Sequence, residues 1–317
     1  MTVVVTGVGT ALAGVDTPAG LLAPRRPDAE PADPKLRLGK RGLRYNDRAT
    51  QLGMALAHQA LQEAGLLGEE GLTVPGECVA VVVGSNFGNV DTVDRVIGTI
   101  AEESGTRGLS PMDLPNASSN VIASAVALRF GLKGPNLMVC NGPTSGLDAV
   151  HWAATLVASG RARYALAVGV EPDNPAVRRL IRTGRPVDGG AAVVIEAADT
   201  AAGRGATVHA GLGPYVRTGG VRQCVARLDA AGLPAPALLQ VPESDGAAVA
   251  EDVLAGVERL DLGAVWGRSS AALGLLQCAA AIGRFAAGGD GPVYALAGND
   301  GDDATAGLVL MSPGALR

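Results

Sequence analysis

Aromatic side chains make up 3% of this 317-residue sequence, and histidine occurs three times. Packing is left to small residues: 45 glycines and a 47% hydrophobic fraction suit helices laid closely on buried sheets. The four cysteines, Cys78, Cys140, Cys224 and Cys278, are far apart and form no CxxC pair, so neither a disulfide scaffold nor a zinc site is indicated. No apolar run approaches the roughly twenty residues of a membrane-crossing helix. A basic excess is also missing. The net charge of −5 and a pI near 5.3 argue against nucleic acid or an anionic membrane as partner. The opening MTVVVTGVGT has no basic stretch and no cleavage pattern, so no signal peptide is expected and the cytoplasm is the default location.

What is present is an alternation of strand and helix patterns. Apolar strands are predicted at 2–6, 78–83, 137–140, 164–169, 191–196, 206–211, 238–241, 293–297 and 306–311. Helical spacing predicts helices over 47–65, 90–103, 119–130, 145–158, 221–231, 247–260 and 270–287. Proline and charge mark 16–40 as an irregular surface excursion, and Pro111 and Pro115 break the chain again. Such alternation implies a parallel or mixed sheet covered by helices. Two successive sets imply a duplicated architecture with its seam near residue 200, giving halves 1–200 and 201–317. Gly7, Gly9 and Gly14 follow a strand, but a Pro-rich excursion stands where a dinucleotide fingerprint needs a helix, so that reading is rejected.

The segment GPNLMVCNGPTSGLDAV, residues 134–150, combines a buried strand, a tight Gly/Pro turn and the start of a helix. Acyl-transfer folds present a nucleophile in this way, because side chain and helix N-terminus meet at one point. The segment resembles the GPNxxVxTACASG run of β-ketoacyl synthases, in which the cysteine carries the growing acyl chain. Gly134-Pro135-Asn136, Val139 and Ser145-Gly146 match, and the nucleophile position holds Pro143. Proline offers neither a thiol nor a backbone N–H, so both the attacking atom and one possible oxyanion donor are gone. The likeness covers most of the chain. Val4, Thr6-Gly7-Val8-Gly9, Asp47-Arg48-Ala49, 110–116, Arg129-Phe130-Gly131, 160–171 and 269–281 each resemble a family segment in the family's order.

The resemblance implies a thiolase-like α/β fold: duplicated βαβαβ halves in a layered α-β-α-β-α sandwich, here with a shortened C-terminal half. It also exposes the departures. Condensing members need two histidines for malonyl decarboxylation. The first belongs to a segment that appears here as Val241-Pro242-Glu243-Ser244-Asp245-Gly246, and the second aligns with Arg268. The glycine-rich C-terminal loop is replaced by Asn299-Asp300-Gly301-Asp302-Asp303, whose acidity opposes a developing oxyanion. His58, His151 and His209 lie elsewhere. Arg268 is expected to pair with Glu243 or Asp245.

Cys140, three residues before Pro143, is the alternative nucleophile, but its place at the end of an apolar strand predicts a packed thiol with no histidine placed to ionise it. Thr144 and Ser145 sit where helix capping explains them. By resemblance the chain is a catalytically disabled homologue, similar to the chain-length-factor subunits of type II polyketide synthases. Those pair with an active ketosynthase as a heterodimer and shape its acyl tunnel; the small residues Ala117, Ser118, Ser119 and Ala123 would line that tunnel here. The implied partners are that ketosynthase and an acyl carrier protein, with no cofactor and no metal. A decarboxylase or acyltransferase acting on carrier-protein thioesters is the rival reading, and a carrier-docking scaffold is a third.

Overall fold

The computed structural model describes every residue except 41, 182, 244–248 and 317. Ten strands make one sheet: β1 (Val3–Ala11), β2 (Val79–Gly84), β3 (Asn136–Val139), β4 (Tyr164–Glu171), β5 (Gly189–Ala197), β6 (Ala210–Thr218), β7 (Leu238–Gln240), β8 (Glu258–Leu260), β9 (Val293–Ala297) and β10 (Thr305–Met311). Their spatial order is β8-β7-β9-β10-β6-β1-β5-β4-β2-β3. Each half is the same five-strand pattern. In the first, β3-β2-β4 are parallel and β5 and β1 follow antiparallel. In the second, β8-β7-β9 are parallel and β10 and β6 follow antiparallel. Within the described part of the sheet the halves meet at β1 and β6, antiparallel over Val3↔Leu212, Val4↔Gly211 and Val5↔Ala210.

The helices packed around this sheet include α1 (Arg48–Glu63), α2 (Val90–Glu103), α3 (Val121–Phe130), α4 (Ser145–Ala158), the short α5 (Pro175–Leu180), α6 (Val221–Asp229) and α7 (Leu273–Ala286). Strand alternation sorts them into layers. In β4, Leu166, Val168 and Val170 pack with Leu52 and Leu56 of α1 and Ile122 of α3, while Ala165 and Ala167 face Leu147 of α4 and Leu275 of α7. In β9, Val293, Ala295 and Ala297 face that same central pair, and Tyr294 and Leu296 pack with Cys224 and Leu228 of α6. The result is α1/α3, sheet, α4/α7, sheet, α6. A central helix pair between two sheets needs small residues where it crosses. A Cβ on Gly146 would lie 2.4 Å from Ala271 O, and one on Gly274 would lie 2.3 Å from Leu147 N.

Three expectations are corrected. The Pro-rich stretch 16–40 is not a bare excursion: it holds a 3-10 turn, Pro18–Leu22, whose Leu21 is buried, and Trp266 Nε1–H donates to Leu21 O at 3.1 Å. The helix expected over 247–260 is absent from its described residues: 249–257 are coil and turn, and 258–260 are β8. Gly256 at φ +82° breaks the helical path, and the Arg259 guanidinium collects the carbonyls of Val249, Ala250, Glu251 and Val253 at 2.7–3.1 Å. Residues 247 and 248 lie outside the described set. The strand expected at 206–211 begins at Ala210 and runs on to Thr218, carrying Pro214 where the pairing with β10 shifts register. Among the described residues, no helix is long and apolar enough to cross a membrane.

Candidate functional site

The strand β3 ends at Val139, and the chain turns through Cys140, Asn141, Gly142 and Pro143 into α4. Gly142 takes φ +68°, a left-handed conformation that glycine adopts without strain, and a 3-10 turn Gly142–Thr144 delivers the helix. Polar groups clamp this elbow from three sides. Asn141 N–H donates to Ser145 Oγ at 2.7 Å. The Asn86 amide donates to Gly142 O and to Ser270 Oγ, both at 2.8 Å, tying the elbow to the approach of α7. The buried Asp148 carboxylate accepts from Asn141 Nδ2 at 2.9 Å, from Thr144 Oγ1 at 2.8 Å, and from the Tyr215 hydroxyl. Thr144 and Ser145 therefore hold the loop. Neither caps α4 through its side chain, as the sequence had suggested.

Two cavities flank the elbow and share Cys140, Gly142 and Pro143 as a wall. One, about 470 Å³, has apolar walls of Phe87, Pro172, Val177, Ile181 and Pro186, with Asn86, Glu171, Glu243, Arg268 and Ser270 among its polar lining. The other, about 460 Å³, is lined by Asn141, Arg217, Gly301, Asp302, Asp303 and Ala304. Pro143 thus stands between two chambers with no acid–base group of its own.

Cys140 is exposed, which corrects the expectation of a packed thiol: the strand stops one residue short of it, and its side chain meets the chambers. Its Sγ lies 3.1 Å from Ser85 O. Partial burial and the neighbouring Glu171 push its pKa above the ordinary thiol value, so it stays a thiol at neutral pH. Arg268 Nε lies 3.9 Å from Glu243 Oε2, in agreement with one of the two ion pairs expected; Asp245 lies outside the described residues. Glu243 also accepts from the backbone N–H groups of Ser269 and Ser270, and burial raises its pKa.

The histidines do not line these chambers. His58 packs near Phe130, with ring centroids 6.1 Å apart. His151 stacks on Tyr215 at 4.1 Å. His209 Nε2 lies 3.3 Å from Glu63 Oε1. Burial lowers the pKa of His58 and of His151. The acidic loop near the C-terminus is committed structurally: Asp300 Oδ1 accepts from Val221 N–H at the start of α6, and Asn299 Nδ2 donates to Glu243 O. Among the described residues, no group of three or more His, Cys, Asp or Glu side chains is arranged to hold a metal ion.

Of the small residues expected along a tunnel, Ala123 is fully buried on α3, while Ser118 and Ser119 are exposed in the loop before it, because the helix begins at Val121. Ala117 accepts from Asn89 Nδ2 through its carbonyl at 2.6 Å. None of the four lines either chamber. The groups that shape the site and that motif reading passed over are Asn86, Asp148 and Glu171. Glu171 had one visible signal, a lone carboxylate ending the otherwise uncharged strand YALAVGVE.

A repeated five-strand pattern, with an elbow that opens a central helix, defines the thiolase-like class of acyl-transfer scaffold. Residues 26–185 match the family model for the β-ketoacyl synthase N-terminal domain, and the chain belongs to that family. It is 30% identical over 203 residues to a 3-oxoacyl-(acyl-carrier-protein) synthase 2 of Coxiella burnetii, covering 56% of this chain and 48% of that one. It is also 30% identical over 206 residues to a granaticin polyketide putative β-ketoacyl synthase 1 of Streptomyces violaceoruber, at 55% and 48% coverage. The chain spans about half the length of the curated relatives it matches. The ishigamide ketosynthase/chain length factor superimposes with a TM-score of 0.78 at 17% identity, over 98% of this chain and 99% of that one. A type II polyketide ketosynthase solved with its acyl-carrier protein gives 0.81 at 16% identity, over 98% and 99%. At such identities the likeness shows the fold.

Proposed function

We propose that this chain is a non-catalytic, chain-length-factor-like subunit that pairs with an active ketosynthase of a type II polyketide or fatty-acid-type synthase, stabilises the heterodimer and shapes its acyl tunnel. The observation that carries the reading is Pro143 at the elbow apex. The scaffold around it, including the Asn86 and Asp148 clamps, is retained, while the apex has lost both sulfur and amide proton. Arg268, tied to Glu243, supports the same reading, because a guanidinium offers donors and no acceptor nitrogen where a histidine would offer one. An acyl carrier protein is the second partner proposed. The division into halves 1–200 and 201–317 belongs to this proposal too, each half contributing one face of the central layer.

Pseudo-twofold pairing of related subunits gives a large, apolar, obligate interface. Co-expression with the ketosynthase of its own source is expected to yield a stable one-to-one complex, and recovery of this chain only as a free monomer would count against the reading. The rival, a decarboxylase or acyltransferase on carrier-protein thioesters, has one observation in its favour: the chamber of about 470 Å³ kept beside Cys140. Incubation with malonyl-carrier protein separates the two. Acetyl-carrier formation, or an acyl adduct on the isolated chain by intact-mass measurement, favours the rival.

A further inference from the structure

A third cavity, about 250 Å³, shares Pro186 with the chamber of about 470 Å³ beside the elbow. Three guanidiniums line it: Arg25 from the Pro-rich stretch, Arg178 of α5, and Arg185 from the loop after α5. Its two carboxylates are already engaged. Asp173 accepts from Arg178 Nε at 2.5 Å and Nη2 at 2.8 Å. Asp188 accepts from Arg48 Nε at 3.1 Å and Nη2 at 2.7 Å, and from Asp173 N–H at 3.3 Å. Arg185 Nε stands 4.0 Å from Asp173 Oδ2, an oxygen Arg178 has taken. Arg25 is half-buried and makes no hydrogen bond or ion pair with any described residue. Two guanidiniums are thus left over at one cavity, in a chain whose net charge is −5. A partly desolvated cation without an anion is costly to hold. The backbone nevertheless fixes Arg25 there. Leu21 O accepts from Trp266 Nε1–H at 3.1 Å on one side of it, and Arg26 Nη2 donates to Gly14 O at 2.6 Å on the other.

We propose that this cavity binds a small phosphate dianion, inorganic phosphate or a phosphomonoester, held chiefly by Arg25 and Arg185. The chemistry of the lining selects the class. Guanidiniums offer donors and no acceptors, in a fork that matches the oxygens of phosphate two at a time. Two leftover charges match a dianion, whereas a monocarboxylate would leave one of them unmet. Arg178 engages Asp173 through Nε and Nη2, which leaves its Nη1 to a third contact. Beside the charged groups stand Leu12, Val187 and Trp266. The indole N–H is already bound to Leu21 O, so the ring contributes apolar surface to a short organic group carried on the phosphate. Once bound, the anion ties the Pro-rich stretch to the loop after α5, whose Pro186 also walls the elbow chamber. The site uses none of the elbow's groups and stands whether or not the chain acts as a tunnel-shaping subunit.

Isothermal titration calorimetry on the full chain tests it at about pH 8, where phosphomonoesters are dianions, with sodium chloride holding ionic strength constant. Inorganic phosphate and glycerol phosphate are titrated separately, and melting temperatures are read in the same solutions. Saturable binding of one anion per chain is expected, with a matching rise in melting temperature, and it weakens as salt is raised. Tighter binding of glycerol phosphate assigns the site to phosphomonoesters; equal or weaker binding assigns it to free phosphate. Arg25→Gln and Arg185→Gln are each expected to weaken binding roughly tenfold or more, the loss of a charge-assisted contact. Arg25→Lys is expected to recover part of that affinity, because it keeps the charge and loses the fork. Arg227→Gln, on the exposed side of α6 and away from the cavity, is expected to bind as the wild type does. A response to both phosphates no different from that to sodium chloride, or wild-type affinity in either glutamine variant, overturns the site. Should one of those variants not fold, the other decides.

Discussion

Pro143 sits at the apex of an elbow whose neighbours immobilise it, so its chemistry and its surroundings can be tested separately. A cysteine placed there would regain a thiol at a helix N-terminus, but no histidine lines either chamber, and Arg268 and Glu243 occupy the ground beside it. Pro143→Cys alone is therefore expected to give no condensation product from acyl- and malonyl-carrier proteins; turnover by the variant would show that the missing thiol was the whole deficit. Asp148 tests the surroundings. It accepts from Asn141, Thr144 and Tyr215, and Arg217 Nε lies 3.8 Å away. Burial and this hydrogen bond hold the Tyr215 hydroxyl well above its usual pKa, so it remains a donor. Asp148→Asn replaces an acceptor oxygen with a donor facing donors. Urea unfolding is expected to show a loss of about 1–3 kcal/mol, the cost of buried groups left unpaired.

The crossing of α4 over α7 fixes where the elbow stands, and it depends on the absence of two side chains. Gly274→Ala would drive a Cβ into the backbone of α4, 2.3 Å from Leu147 N, where nothing flexible can give way. A loss of about 1–3 kcal/mol or more in denaturant midpoint analysis is expected, as for overpacked cores. Arg259→Ala is expected to leave the central layer intact and speed proteolysis within 249–257, since that guanidinium gathers the turn's carbonyls. Elements with local causes were legible in the sequence. The periodicity of α2 and α4 gave their ends, and the apolar run of β9 gave its span. Where a distant group decides, local pattern misleads. Residues 247–260 have helical composition, yet Gly256 and Arg259 make most of the described part a turn. Asn86 and Glu171 meet across 85 positions, so no spacing rule announces them. The lost nucleophile was legible because an absence at one motif position needs no fold to be seen, whereas the chambers on either side of it exist only once β3, β4 and α7 converge.

Two five-strand halves sharing one central helix layer, joined edge to edge at β1 and β6, have no surface along which one could unfold without exposing the other's core. Unfolding is therefore expected to be a single transition, and charges buried anywhere in the molecule weigh on all of it. Three carboxyls are buried with raised pKa values: Glu171 to about 7 and Asp47 to about 6, both chiefly through burial, and Glu243 in the same direction. Asp47 caps α1 with one oxygen, accepting from Thr50 N–H, and leaves its other oxygen without a partner. For such groups the folded state holds protons that the unfolded chain has released. Their contribution is present below the ordinary carboxyl value and is lost as pH climbs through about 6 for Asp47 and about 7 for Glu171. Each of those two shifts, a little over two pH units, corresponds to about 3 kcal/mol. Acids with lowered values, such as Asp113 beside Arg95, act below that window and do not offset it. Up to the ordinary histidine value near 6.5, His58 and His151, lowered by burial, act in the opposite sense, so the melting temperature is expected to fall from about pH 6.5 to pH 8 and then level off. Glu171→Gln should flatten that slope, and a melting temperature that rises across the interval would show that this carboxyl is hydrated or paired in the folded chain.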